Sequence, residues 1–345
     1  MSWKAIDALD DARDATTSLL LPFDAGRWAR LALIALFVGG LGGGGGTGGN
    51  AGTTAPGSGG STDIPVDSLP GFVTPENVLA AVIALAAVAI ALGIVWSFVG
   101  SVMQFVLVDA VVTKDVRIRE PFRERFWLGV RLFGFQVGLL VAVLAVIGLP
   151  IAAVFFGMVA FTPAVALLAI PLVLLGFLLL FVVAVVMQLT TDFVVPTMIA
   201  EDRALLSSWG RVAPVFRAEL SEFGLYVIVR FILGILASIG IGIAALLALL
   251  VVAIPFAIVG GAAFLALNAA NVALTSTAGL VVFGALGVLF VLAAIAVGAV
   301  VQMPVVTYFR YYSLFLLGSA DDSLDLVSQF RSDDDSSAPE GPTPA

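Results

Sequence analysis

Seven polar or charged side chains interrupt or border long apolar runs: Gln104, Asp109, Arg131, Gln188, Asp192, Arg230 and Gln302. A carboxylate among apolar side chains is costly and normally has a partner. Two kinds of chemistry suit these residue types. Asp109 and Asp192, with Gln104 and Gln188, would make a proton or cation site. Alternatively each Asp pairs with an arginine, Asp109 with Arg131 and Asp192 with Arg230, and pins one helix to the next. An ion pair of that kind needs no special function, and the structural pairing is the expectation. The chain contains no His and no Cys. That removes imidazole acid–base catalysis, thiolate nucleophiles, disulfides and nearly all zinc sites. A serine–lysine dyad fails as well, because Lys4 and Lys114 both fall in segments expected on the cytoplasmic side. The reading is a non-enzyme with no catalytic residue, no metal site and no cofactor.

The elements that must position these residues are set by charge distribution. Leu132 to Thr191 and Phe231 to Phe309 contain no Asp, Glu, Lys or Arg, in a chain that is 61% hydrophobic and 12% charged. A soluble domain carries about 25% charged residues. Continuous apolar runs indicate spanning helices rather than the short alternating strands of a β-barrel. The fold class is therefore all-α and integral to a membrane. Six transmembrane helices are expected, at about 28–46, 77–112, 127–159, 164–200, 223–259 and 280–317, within a membrane domain covering 28–317. The first is the weakest. It reaches span length only by running into the glycines at Gly42–Gly46, the start of a flexible Gly-rich outer linker over 39–61. That run is no phosphate loop, because no lysine follows it. Lys114, Arg117, Arg119, Arg123 and Arg125 cluster between two spans, as do Arg203, Arg211 and Arg217. The positive-inside bias places both clusters, and both termini, in the cytoplasm, with the plasma membrane as the location.

Residues 1–27 form a cytoplasmic amphipathic segment. Trp3, Ile6, Leu9, Thr16 and Leu20 are expected on its apolar side, at the inner membrane surface. The tail over 318–345, acidic and rich in Ser and Pro, is expected to be disordered. Trp28, Trp96, Trp127 and Trp209, with Tyr308, Tyr311 and Tyr312, read as an aromatic belt. Gly134 and Gly138, Gly240 and Gly242, and Gly284 and Gly287 are candidates for close helix contact. Pro150, Pro171, Pro196, Pro255 and Pro304 are expected to kink helices whose freed carbonyls neighbours satisfy. The net charge of −8 argues against nucleic acid as a partner. Membrane lipid is the expected partner, with any protein partner or homo-oligomer left unspecified. The basic segment Lys114–Arg125 is a candidate contact for anionic headgroups.

An internal repeat runs through the spans. Val102-Met103-Gln104 is echoed by Val186-Met187-Gln188 and more loosely by Val300-Val301-Gln302. Asp109 and Asp192 follow the first two glutamines. Pro22-Phe23 precedes Trp28 at the spacing at which Pro121-Phe122 precedes Trp127. Three units result, each an amphipathic interfacial helix leading into a helical hairpin, all in one orientation and so unlike an inverted-repeat transporter.

These strings resemble an uncharacterised multi-pass family of halophilic archaea. More distantly they are similar to the membrane domain fused to some glycerophosphodiester phosphodiesterases. The first resemblance implies membrane residence; the sparse lysine and acidic ends suit a high-salt cytoplasm. The catalytic domain of the phosphodiesterases is absent, so the second implies no activity here. The Gly-x-Gly-Asp string of intramembrane aspartyl proteases is missing too, since Asp109 sits in Leu107-Val108-Asp109-Ala110. The leading function is a structural, lipid-interacting or partner-binding membrane component. The alternative is a small transporter or permease-like carrier, which would need convergent polar groups at mid-membrane, where Gln136 stands almost alone. Cysteines introduced at Ser58 and Ser276 should label from outside intact cells and one at Ser207 should not; the opposite pattern overturns the topology.

Overall fold

The computed structural model describes residues 4–39, 75–157, 162–273 and 276–330. Every regular element among them is helical. In chain order these are α1 (Lys4–Leu20), α2 (Ala25–Gly39), α3 (Pro75–Thr113), α4 (Arg119–Glu124), α5 (Phe126–Val143), α6 (Leu149–Phe155), α7 (Pro163–Leu189), α8 (Val195–Ala200), α9 (Leu205–Ala218), α10 (Leu220–Ala269) and α11 (Thr277–Ala320). A π-helical turn, Leu144–Gly148, joins α5 to α6, and another, Thr190–Val194, joins α7 to α8. Five helical rods are long and apolar enough to cross a membrane: Val82–Thr113, Phe126–Phe155, Ile170–Ala200, Leu220–Ala269 and Thr277–Ala320. The described part of α2 has 15 residues. At 1.5 Å per residue that is about 22 Å, short of the roughly 30 Å hydrocarbon core. The continuation expected over 40–46, and the Gly-rich linker, lie outside the described residues.

Each long rod changes environment along its length. On α3, Val82 to Val95 is exposed, whereas Ser101 to Val108 is buried. On α10, Phe231, Leu247 and Leu265 are exposed while Phe223, Tyr226, Arg230 and Gly234 are buried. On α11 the buried run is Phe309 to Gly318. The buried segments meet at one end of the bundle, where α1, α2, α4, α8 and α9 close around them. The remaining lengths carry apolar side chains outward on all sides, the arrangement stable where the surrounding medium is itself apolar.

Two short helices show how that close-packed end is built. In α1, Ala5, Ala8, Ala12, Ala15 and Leu19 recur at helical spacing and are buried against α11, with Asp7, Asp10 and Asp14 exposed opposite. The covered stripe is thus mostly alanine, with the expected Thr16 and Leu20 also buried and Leu9 half-buried beside it. Ile6 is 48% exposed, and Trp3 lies outside the described residues. Alanine lets the two backbones approach closely. The start of α1 is held by Glu222, which accepts from the Ala5 N–H at 3.1 Å, and by a 2.6 Å ion pair from Lys4 to Glu219. In α9, Leu205, Ser208 and Val212 form the buried stripe.

Three further expectations are corrected. Tyr311 and Tyr312 are fully buried, and Tyr312 stacks at 4.9 Å on Tyr226. They belong to the core, not to an interfacial belt, although Trp127 is exposed as a belt residue would be. Gly134, Gly138, Gly240, Gly242, Gly284 and Gly287 have no neighbour that a side chain would meet. Close approach falls instead at Gly100, where an added Cβ would lie 2.8 Å from the Phe37 carbonyl oxygen, and at Gly129, against Val102.

The C-terminal segment also departs from expectation. Leu324 and Val327 are buried and Phe330 stands edge-on to Tyr311. Disorder therefore does not begin at Gly318; residues 331–345 lie outside the described residues. Arg211 holds this segment through a 2.6 Å ion pair with Asp321. Hydrogen bonds from Ser323, and that arginine, keep the Asp321 carboxyl below its ordinary value of 3.8. A carboxyl with a lowered folded pKa stabilises the folded state above its unfolded value and loses that contribution as pH falls through the folded one. Asp321→Asn should raise amide exchange across 322–330 severalfold at neutral pH, relative to intrinsic rates. The wild type should begin to approach the variant as the pH falls below 3.8 and converge on it only below the lower folded value.

Candidate functional site

The site grows from a defect in one helix. Along the π turn the backbone bonds in an i→i−5 register, and the Val195 N–H donates to the Thr190 carbonyl. The next bond in that register would run from residue 196 to the Thr191 carbonyl. Residue 196 is proline and has no N–H. The Thr191 carbonyl is thus left open inside the bundle, where an unmet acceptor is costly. It accepts instead from Arg310 Nη1 on α11 at 2.6 Å. Arg310 Nη2 donates to Gln104 Oε1 on α3, so one guanidinium joins three rods. Pro150 stands two residues beyond its π turn, as Pro196 does.

The π turn also carries Asp192 into the interior, where it is 5% exposed. Tyr226 on α10 donates to Asp192 Oδ2 at 2.8 Å. Arg230, one turn further along α10, places Nε 3.6 Å from the same oxygen, an ion pair too long for a hydrogen bond. The Arg230 guanidinium lies 3.4 Å from the centre of the Phe309 ring, a cation–π contact in a desolvated setting. Val38, Gly39, Gln104, Leu107, Thr191, Asp192, Arg230, Val306, Phe309 and Arg310 line a small, partly open cavity of about 20 Å³.

The seven residues singled out above separate into two groups. Gln104, Asp192 and Arg230 meet in this cluster. Gln302 lies near its edge, its Nε2 donating to the Gly39 carbonyl at 2.8 Å. Gln188 lies just before the π turn with its amide nitrogen buried and without a hydrogen-bond partner. Asp109 and Arg131 do not join. Asp109 is half-buried, Arg131 is exposed, and no ion pair links the two. The expected Asp109–Arg131 pair is thereby corrected: Arg131 faces away from the interior that α3 and α5 share. Gln136 takes part elsewhere, accepting from Ser101 at 2.9 Å.

Arg310, Tyr226, Phe309 and the Thr191 carbonyl were absent from the expected cluster. A signal for Arg310 existed, since it closes the long uncharged run ending at Phe309 inside an expected span. No side-chain pattern points to a backbone carbonyl. The cluster can neutralise, orient and hold. Among the described residues no group of three or more carboxylates is placed to hold a metal ion.

Apolar rods closed at one end by a buried polar lock define a helical multi-pass membrane protein. Within that class the chain belongs to a family of unknown function (DUF7544), whose model matches residues 3–327. No curated protein and no solved structure matches it.

Asp192→Asn should lower the melting temperature in detergent by several degrees, because Arg230 would lose its counter-charge in a buried site, at a cost of about 3 kcal/mol. Asp109→Asn should leave stability within about 0.5 kcal/mol of wild type. Equal effects of the two changes would dismiss the cluster as the bundle's lock.

Proposed function

We propose that the chain is a non-enzymatic, lipid-interacting component of the plasma membrane, arranged as six spans in three hairpins with both termini cytoplasmic. In this reading the close-packed end lies at the cytoplasmic face, where the arginine-rich loops gather, and α2 continues beyond Gly39 to complete the first span. The repeated Val-Met-Gln strings then mark the inner portions of three equivalent hairpins. The acidic ends and scarce lysine fit a halophilic archaeal source.

One observation carries the lipid reading. A groove of about 380 Å³ opens between α1 and the α10–α11 pair. Leu233, Leu236, Ala237, Pro304 and Val305 line its length, and Arg13, Thr16 and Thr17 stand at its α1 side. An apolar trough ending at a cation and two hydroxyls suits one acyl chain beneath an anionic headgroup. A carrier role, the second reading, has the polar cavity in its favour. That cavity has space on the scale of a single water, too little for an organic solute.

Leu236→Trp, which fills the trough, should reduce co-purifying anionic lipid severalfold by native mass spectrometry without unfolding the protein. Arg13→Gln should weaken retention of anionic over zwitterionic lipid. Unchanged lipid content in both variants would reject the lipid reading. Solute uptake by reconstituted vesicles above that of empty ones would favour the carrier.

A further inference from the structure

We infer that the cavity between Arg230 and Arg310 is a binding site for a single small monovalent anion of halide size. The inference starts from charge. Two guanidiniums, each 4% exposed, and one carboxylate, 5% exposed, line the same partly open cavity. The set carries a net charge of +1 when the arginines and Asp192 are ionised. A buried excess charge is costly unless paired.

Donor accounting points the same way. Three acceptors along the wall are already engaged, the Thr191 carbonyl and Gln104 Oε1 with Arg310 and Asp192 Oδ2 with Tyr226, which leaves Asp192 Oδ1 as the remaining carboxylate acceptor. Arg230, by contrast, has buried Nε and Nη1 atoms without a hydrogen-bond partner, and it lines the cavity. A halide accepts from every donor that faces it and requires no acceptor in return. A water would satisfy Arg230 through its oxygen but, being neutral, would leave the net charge of the three ionised groups uncompensated, which a halide cancels. The volume of about 20 Å³ admits one occupant of roughly water size and leaves no room for a carboxylate or phosphate. The Phe309 ring covers one face of Arg230, so the occupant meets the guanidinium edge, where the N–H groups lie.

This site adjoins the lipid groove at the Phe309 ring, which lines both. Its occupancy would be structural: the anion would complete the neutralisation that Asp192 begins and stabilise the joint between α3, the π turn, α10 and α11.

The test uses the purified full chain in detergent, transferred to gluconate salt and titrated with chloride or bromide at constant ionic strength. Radiolabelled chloride should bind saturably at one ion per chain, and the melting temperature should rise along the same curve. Arg230→Gln should lower the affinity at least tenfold, while Arg203→Gln, at the surface, should leave it unchanged. Val306→Phe, which fills the cavity and keeps both arginines, should abolish binding while the protein remains folded, and covers the case in which the arginine variant does not fold. Absence of saturable chloride binding to the wild type would overturn the proposal, as would saturable binding that survives Val306→Phe. The lipid reading is independent of either result, since its variants line a different groove.

Discussion

A carbonyl with no donor of its own shapes the centre of this bundle. Pro196 cannot donate and the π turn before it shifts the register, so the Thr191 oxygen faces the interior unpaired. Inside a medium without water such a group must find a donor in the protein. Arg310 supplies one from another rod, and its second amino group reaches Gln104 on a third. The guanidinium is suited to this because its donors are held in a planar fork. Asp192, Tyr226 and Arg230 gather around the same turn, so a local backbone fault becomes the joint between α3, the π turn, α10 and α11.

The rest of the chain divides by solvent. Where side chains meet one another, at the closed end, packing resembles that of a soluble core. Tyr226, Phe193, Phe216 and Phe223 interlock at ring separations between 4.5 and 5.5 Å. Where the rods emerge, the same residue types point outward. Leu and Val gain little by clustering when hydrocarbon surrounds them, and contact between the rods there is sparse, as where Phe256 meets Phe290 at 5.4 Å. The short helices α1, α4 and α9 stay at the closed end because each has one polar face that water must reach. This arrangement explains why the glycine pairs along the rods meet no neighbour, whereas Gly100 and Gly129, at the closed end, do.

Much of this was legible beforehand, and the failures follow a pattern. Five long apolar rods were legible, since long uncharged runs have few alternatives, although α10 runs on to Ala269, past its expected end at 259. Asp192 with Arg230 was legible because two buried opposite charges attract. Asp109 with Arg131 was not, because spacing in sequence does not tell which way Arg131 turns on α5. The buried stripe of α1 was legible in part: Thr16 and Leu20 are buried as expected, whereas Ile6 is exposed and the alanines, whose value lies in close backbone approach, were passed over. The segment 321–330 looked too acidic to fold, yet Leu324, Val327 and Phe330 suffice to dock it once Tyr311 offers a surface.

Composition and charge order alone determined that these are helices, that their medium is apolar, and which loops carry the arginines. Those properties are local: each residue contributes to hydropathy or charge without reference to partners far along the chain. Tertiary structure decided which polar groups share the interior. Arg310 meets Thr191 across 119 positions and Gln104 across 206. Such pairings depend on how the rods rotate and cross, a choice made by many weak contacts acting together, and by one proline that leaves an oxygen in need of a donor.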